Sequence, residues 1–310
     1  MAAHGERHRM PDYTAHIGKA KTAHDILLPE RIGHLSATLR GLEPNSRSGT
    51  LFDGSGPAAE WPHGWHWCFF NEAPEAGELG RDGHEKLGGF IPALPLQRRM
   101  WAAGKLEFLT PPVAGAPAEK RTVIENIQEK RGRSGPLIFV TLRHEVSQDG
   151  TMLVREIQTL VYRNEATGGK RSTQSPPALT PPVTPTLAPA AGIIPPAHEI
   201  RPDPVMLFRY SALTLNGHRI HYDADYARDV EGYAGIVFHA PLTATLLMGL
   251  AQNASAGSLS QFSFRALNAI EGFAPFSVAL TEHREDGASL AALLPDGRIT
   301  MQAKALWKAV

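Results

Sequence analysis

Hydrophobic and polar positions divide this chain into two stretches that repeat one order of elements. In the latter stretch, residues 239–254 are almost continuously apolar, through Leu242-Thr243-Ala244-Thr245-Leu246-Leu247-Met248-Gly249-Leu250. A helix that is apolar nearly all round is a buried one. A small residue followed by Pro241 is a favourable helix start. Four strand-like runs come next, at 259–266, 276–282, 288–294 and 299–307. Between them, Arg284-Glu285-Asp286-Gly287 and Pro295-Asp296-Gly297 are hairpin signals. This pattern predicts an antiparallel sheet wrapped around one interior helix. A further helix start is signalled at 205–215.

The earlier stretch reads in the same order. Residues 25–40 have a helical spacing, and Trp65-His66-Trp67-Cys68-Phe69-Phe70 is an aromatic-rich strand candidate. A turn leads into a strand at 98–108, and longer runs follow at 120–130, 137–146 and 152–163, with turns such as Gln148-Asp149-Gly150. Ile138, Val140, Leu142 and Val154, Ile157, Leu160 supply the strand-forming residues. Between the stretches, Ser175-Pro176-Pro177 begins a Pro-rich segment that continues to Pro195 and Pro196. Such a segment cannot donate a regular hydrogen-bond ladder and is expected to be an extended linker. The expected division is a disordered tail at 1–16, a first domain at 17–168, a linker at 169–200 and a second domain at 201–310. The fold class is α+β, two sheet-and-helix domains side by side.

Composition narrows the setting. The chain has 310 residues, 42% of them hydrophobic, enough for a sizeable core. Lys plus Arg and Asp plus Glu both number 31, so the basic excess of a nucleic-acid-binding protein is missing. No apolar run approaches the roughly 20 residues that cross a bilayer, and Met1 to Met10 is polar, without the core of a secretory signal. Cys68 is the only cysteine, which excludes a disulfide framework and a thiolate metal cluster. The expectation is a cytoplasmic protein without metal or redox cofactor. His63 and His66 form a close pair, but carboxylates at metal-binding spacing do not accompany them.

The candidate chemistry lies in Thr214-Leu215-Asn216-Gly217-His218-Arg219-Ile220-His221 and in Gly235-Ile236-Val237-Phe238-His239-Ala240-Pro241-Leu242. The first puts a carboxamide and an imidazole five residues apart in a polar turn. The second starts the buried helix. A water-activating group beside a helix N-terminus that can hold an oxyanion is what hydration of a thioester-conjugated double bond requires. The bland alternative is a polar turn in which Asn216 and His221 satisfy backbone groups.

These residues resemble the MaoC-like (R)-specific enoyl-CoA hydratases and dehydratases, which have the hot-dog fold. The whole chain is similar to the double hot-dog members: hydratases of mesaconyl-CoA (C4 thioester) and itaconyl-CoA, and mitochondrial-type 3-hydroxyacyl thioester dehydratases. Phe208-Arg209-Tyr210-Ser211-Ala212-Leu213-Thr214 through His221-Tyr222-Asp223 carries the likeness in the second half. Gly88-Gly89-Phe90-Ile91-Pro92 with Pro95-Leu96-Gln97-Arg98-Arg99-Met100-Trp101 carries it in the first.

The family's usual Asp falls on Asn216, which cannot take a proton, and its usual Gly at the helix start falls on Ala240, which keeps the backbone N–H. The resemblance implies His221 as the base, Asn216 as orienter of the water and the Ala240 N–H as oxyanion donor. It also implies an acyl-CoA thioester as ligand and a homodimer. A dicarboxylic acyl group would call for an Arg on its free carboxylate. Arg98, Arg99, Arg209 and Arg219 are the candidates by sequence, with His239 at the helix start as a further substrate-side or loop-holding residue. Of the others, His218 is expected to face solvent, and Asp223 to cap a helix. The first half lacks its own Asn/Asp-x4-His signature, so one active site per chain is expected, with the first domain supplying the pocket wall. The alternatives are dehydration of linear 3-hydroxyacyl thioesters, acyl-CoA binding without catalysis, and thioester hydrolysis.

Overall fold

A computed structural model describes residues 12–40, 61–132, 135–164, 192–254 and 257–308. The strands are β1 (Ala20–Ile26), β2 (Arg98–Phe108), β3 (Pro117–Gly132), β4 (Gly135–Gln148), β5 (Thr151–Arg163), β6 (Ile194–Ile200), β7 (Leu259–Ala266), β8 (Phe276–His283), β9 (Gly287–Leu293) and β10 (Ile299–Trp307). The helices are α1 (Pro29–Leu39), α2 (Pro204–Leu213), α3 (Ala224–Asp229) and α4 (Ala240–Asn253). All ten strands join one antiparallel sheet in the order β1-β3-β4-β5-β2-β7-β10-β9-β8-β6. Each half of the chain contributes five neighbouring strands. The result is the expected double hot-dog.

The second half is built around α4. Pro241 sits in its first turn, where the missing N–H is no loss. Leu242 through Ala251 are all buried, and the helix packs on β7, β8, β9 and β10. The first half is built differently. Its helix α1 is apolar on one face only, burying Ile32, Leu35, Thr38 and Leu39, and lies beside α2 and the Trp65–Cys68 turn.

The two halves meet where β2 pairs with β7, from Ala103↔Arg265 to Glu107↔Gln261. Gly104 stands opposite Phe264, and a Cβ on it would come within 2.4 Å of the Phe264 ring. Glycine is therefore what lets the aromatic side chain lie across the seam.

Three expectations need correcting. Trp65–Cys68 is a 3-10 turn instead of a strand. Pro62 precedes it, Gly64 has φ 88°, and the Trp65 N–H bonds back to the Pro62 carbonyl at 3.0 Å, which winds the segment. Residues 194–200, expected in the linker, form β6 on β8. Thr14–His16, within the expected tail, form a short 3-10 turn. Residues 1–11 of that tail and 169–191 of the linker lie outside the described residues.

Replacing Gly104 by Val drives two carbons into the Phe264 ring. The expected cost is about 1–3 kcal/mol, read as a lower urea midpoint at unchanged m-value; an unchanged midpoint would mean that the seam has slack.

Candidate active site

The catalytic candidates sit where a strained turn meets the start of α4. Helix α2 starts well, with Asp203 accepting from the N–H groups of Val205 and Met206. It ends at Leu213, and the chain reverses through Leu215 at φ 47°, a left-handed conformation that a non-glycine residue adopts only under constraint. The constraint is the Asn216 N–H bonding to the Ser211 carbonyl at 2.8 Å. Asn216 Oδ1 then accepts from the His218 N–H at 3.1 Å, closing the polar turn. This leaves the Asn216 amide nitrogen as its free polar end, a donor only.

His221 follows in a 3-10 turn, Arg219–His221. Its backbone neighbour Ile220 accepts from the Val237 N–H at 2.8 Å, which ties the turn to the strand-like approach to α4. The His221 Nδ1 donates to the Val237 carbonyl at 2.7 Å. A carbonyl only accepts, so the proton resides on Nδ1 and the lone pair on Nε2. His239 stacks on the His221 ring, centroids 3.7 Å apart and planes 18° apart. The other side of His239 is held by Ser211 Oγ at 2.8 Å from Nε2.

Asn216, His221 and Ala240 line one cavity of about 400 Å³. Ala240 opens α4, so its N–H is one of the first-turn donors with no intrahelical acceptor. Arg99 also lines this cavity. The other Arg candidates do not. Arg98 is buried in an ion pair, Nε to Glu231 at 2.5 Å, and lies over Tyr233. Arg219 reaches outward to Asp223 and lies over Tyr226, and Arg209 is exposed on α2. His239 lies beneath His221, fully buried and off the cavity wall, so its place is structural support. Asp223 caps α3 as expected. His218 is corrected: it is 6% exposed, facing inward.

The first half brings residues that the sequence did not single out. Inner-face positions Thr122, His144 and Glu156 stand opposite one another across β3, β4 and β5. Thr122 bonds His144 Nδ1 at 2.9 Å, and His144 Nε2 donates to Gln158 at 3.2 Å. Glu156 accepts from His66 Nε2 at 2.9 Å and from Trp67 Nε1 at 3.0 Å. Burial alone would raise the Glu156 carboxyl; the His66 and Trp67 donors outweigh it and hold it below its usual range. Lys120 joins this polar end of the cavity, its ammonium pushed down by burial. The period-two alternation of β3 puts Lys120 and Thr122 on one face, and that was the available signal.

His84, from a loop of the first half, also lines the cavity, with its ring 4.5 Å from that of His218. Asp82, His84 and His218 present ligand atoms within 4.8 Å of one another, the one grouping among the described residues close enough to hold an ion.

Burial dominates the electrostatics. It pushes His221, His84 and His144 down to about 4, His218 to about 2, and His239 well below its ordinary value. Near pH 7 these rings are neutral.

The comparisons with known proteins bear on the family and the fold. The family model described as hydroxyacyl-thioester dehydratase type 2 matches residues 64–271. A mesaconyl-C(4)-CoA hydratase of Chloroflexus aurantiacus is 38% identical over 298 residues, covering 94% of this chain and 96% of that protein. The mitochondrial hydroxyacyl-thioester dehydratase type 2 of Schizosaccharomyces pombe is 26% identical over 289 residues, 83% of this chain and 89% of that one. The crystal structure of a MaoC-like dehydratase from Phytophthora capsici has a TM-score of 0.64 at 12% identity, covering 94% of this chain and 95% of that one.

The buried imidazoles set a pH dependence of stability. In the unfolded chain each titrates near 6.5; in the folded protein His221, His84 and His144 resist protonation down to about 4. Between those values the unfolded state binds more protons, so stability is complete above about pH 6.5 and falls with acidification through about 4, by up to about 1.4 kcal/mol per pH unit per histidine. Urea midpoints at pH 7.5, 6 and 5 should decline progressively, and flat midpoints over that range would contradict it.

Proposed function

The chain belongs to the hydroxyacyl-thioester dehydratase type 2 family, and on that premise we propose that it is a hydro-lyase adding water to mesaconyl-CoA (C4 thioester), giving citramalyl-CoA. The observation that carries this is the His221 Nε2 lone pair held in one cavity with the free first-turn N–H of Ala240. The water gives a proton to Nε2 as its oxygen bonds to the β-carbon. The double-bond electrons move onto the thioester oxygen, and the Ala240 N–H meets that charge. The Asn216 amide donates to the water and fixes its approach.

The acyl group is chosen by the other end of the cavity. Arg99 forms no ion pair among the described residues and stands on the cavity wall. Lys120, His144 and Gln158 line the same cavity. A long alkyl chain would have to desolvate these groups without pairing them, at about 1–3 kcal/mol each. A short acyl group ending in a carboxylate pairs with them instead. Itaconyl-CoA, of the same dicarboxylic class, is the second acyl group that fits this reasoning.

The competing reading is dehydration of linear 3-hydroxyacyl thioesters, the activity in the name of the fission yeast relative; the polar cavity end counts against it. A cytoplasmic homodimer completes the proposal. A single, buried and unpaired cysteine suits a reducing compartment.

With purified protein, kcat/KM for mesaconyl-CoA (C4 thioester) should exceed that for crotonyl-CoA by about tenfold to a hundredfold or more, the worth of a charged hydrogen-bonded pair. Arg99→Gln should erase most of that preference. His221→Ala should cost at least about a hundredfold in kcat on either substrate. A wild-type preference for crotonyl-CoA would overturn the substrate, and turnover that survives His221→Ala would overturn the base.

A further inference from the structure

We infer that His84, held by Asp82, is a second catalytic acid–base residue of this site, supplied by the first half of the chain; the inference rests on the hydratase reading above. The chemistry asks for two proton transfers, one from water and one to the α-carbon. Asn216, five residues before His221, cannot carry a proton, and its Oδ1 is already engaged by the His218 N–H. A second carrier elsewhere on the cavity wall would let the α-carbon be protonated from a position that His221 does not occupy.

The loop at residues 80–84 is built to present one. The Gly80 N–H bonds the His84 carbonyl at 2.6 Å, and the Gly83 N–H bonds the Gly80 carbonyl at 3.0 Å. Asp82 Oδ1 accepts from the His84 N–H at 3.1 Å, and Asp82 Oδ2 from His84 Nδ1 at 2.9 Å. The carboxylate thereby fixes the tautomer: Nδ1 carries hydrogen and Nε2 the lone pair. A base oriented by a third group is the arrangement shared by activated catalytic imidazoles.

The loop is then pressed against the catalytic turn. Gly83 has φ 87°, and a Cβ there would lie 2.0 Å from the Gly217 carbonyl oxygen. The Asp82 carbonyl accepts from the Arg219 N–H at 2.9 Å. These contacts leave no room for slippage between the two halves at this point. They set the His84 ring 4.5 Å from His218, whose ring is 5.5 Å from His221. His218 Nε2 is buried without a hydrogen-bond partner among the described residues, so it is open to a proton from a neighbouring group or ligand.

Three neutral imidazoles thus run from the water-activating position to the dyad. The water proton goes to His221 Nε2 as the C–O bond forms. It crosses by way of His218 to His84 Nε2, where the Asp82 charge supports the imidazolium. His84 then delivers it to the α-carbon, the enolate electron pair forms the new C–H bond, and the thioester carbonyl returns. No oxidant, reductant or ion takes part; His221 and His84 end as they began, while His218, which takes a proton on one nitrogen and releases one from the other, changes tautomer and is reset by exchange with solvent.

The test compares His84→Gln, His84→Ala and Asp82→Asn with wild type in the full-length chain, on the enoyl-CoA that wild type hydrates. The expected result for His84→Gln is a loss in kcat of about a hundredfold or more, with KM within about threefold. Asp82→Asn should lose kcat less than His84→Gln, again at near-constant KM. Added imidazole should restore part of the kcat of His84→Ala and leave the kcat of wild type unchanged. In deuterated water, exchange of the product's α-hydrogen should vanish with His84→Gln. Wild-type kcat in that variant, loss through KM alone, or retained α-hydrogen exchange would overturn the inference. So would one tightly bound zinc per chain in purified wild type that is lost with His84→Gln, because ligation would occupy the lone pair. Failure of wild type to hydrate any enoyl-CoA would instead overturn the hydratase reading itself.

Discussion

The bond between His221 Nδ1 and the Val237 carbonyl, 2.7 Å long, is the constraint on which the site depends. It decides which nitrogen can act as a base. It also links two segments that the sequence separates, the turn after α2 and the approach to α4. Because Val237 lies three residues before Ala240, the same contact sets the distance between the proton acceptor and the helix N-terminus. The His239 stack prevents the ring from turning about that bond, and Ser211 prevents His239 from moving. Loss of the carbonyl contact would cost a hydrogen bond in a buried setting and, more seriously, the tautomer.

Around that bond the two halves divide the work unequally. Both contribute five strands to one sheet, but only the second wraps a long apolar helix. The first half uses the space differently. Its inner face carries Lys120, His144, Glu156 and Gln158, with a cross-strand hydrogen bond from His144 to Gln158, where an apolar lining would suit a long acyl chain. Polar groups in a cavity are retained only if they are paired or if a ligand pairs them. The Arg99 guanidinium has no carboxylate partner among the described residues, whereas its neighbour Arg98 is spent on Glu231. Adjacent strand residues point to opposite faces, and this is why two consecutive arginines have separate fates.

That difference also marks how far the sequence was legible. The central helix, the hairpins and the Asn216–His221 pair were visible because apolar periodicity and turn chemistry are local. The edge strands were not. β1 alternates, but with Lys21, His24 and Asp25 in place of apolar residues, since it covers little core. β6 contains Pro195 and Pro196, which cannot donate to a ladder and are tolerated in the terminal strand of the sheet. Arg98 could not be told from Arg99 without knowing the pleat. His84 was invisible for a further reason: its partner Asp82 is two residues away, but its neighbour His218 is more than a hundred residues away in sequence. Only the pairing of β2 with β7 brings the halves close enough for the loop at 80–84 to meet the turn at 216–219.

The burial of so many imidazoles follows from the same economy of charge. Removing them from water disfavours the protonated form, so the rings are neutral when an uncharged base is needed. A proton taken up there is held weakly and passes on readily, as suits a reversible addition. The low dielectric also strengthens the interaction between the first-turn N–H of α4 and a developing oxyanion. Arg99 acts in the same direction on His84, adding to the burial that pushes this ring down to about 4. A carboxylate paired with Arg99 would cancel that positive charge and make His84 more basic once the correct acyl group is in place. Substrate recognition and proton transfer are then coupled through one guanidinium, and a ligand without the carboxylate forgoes both.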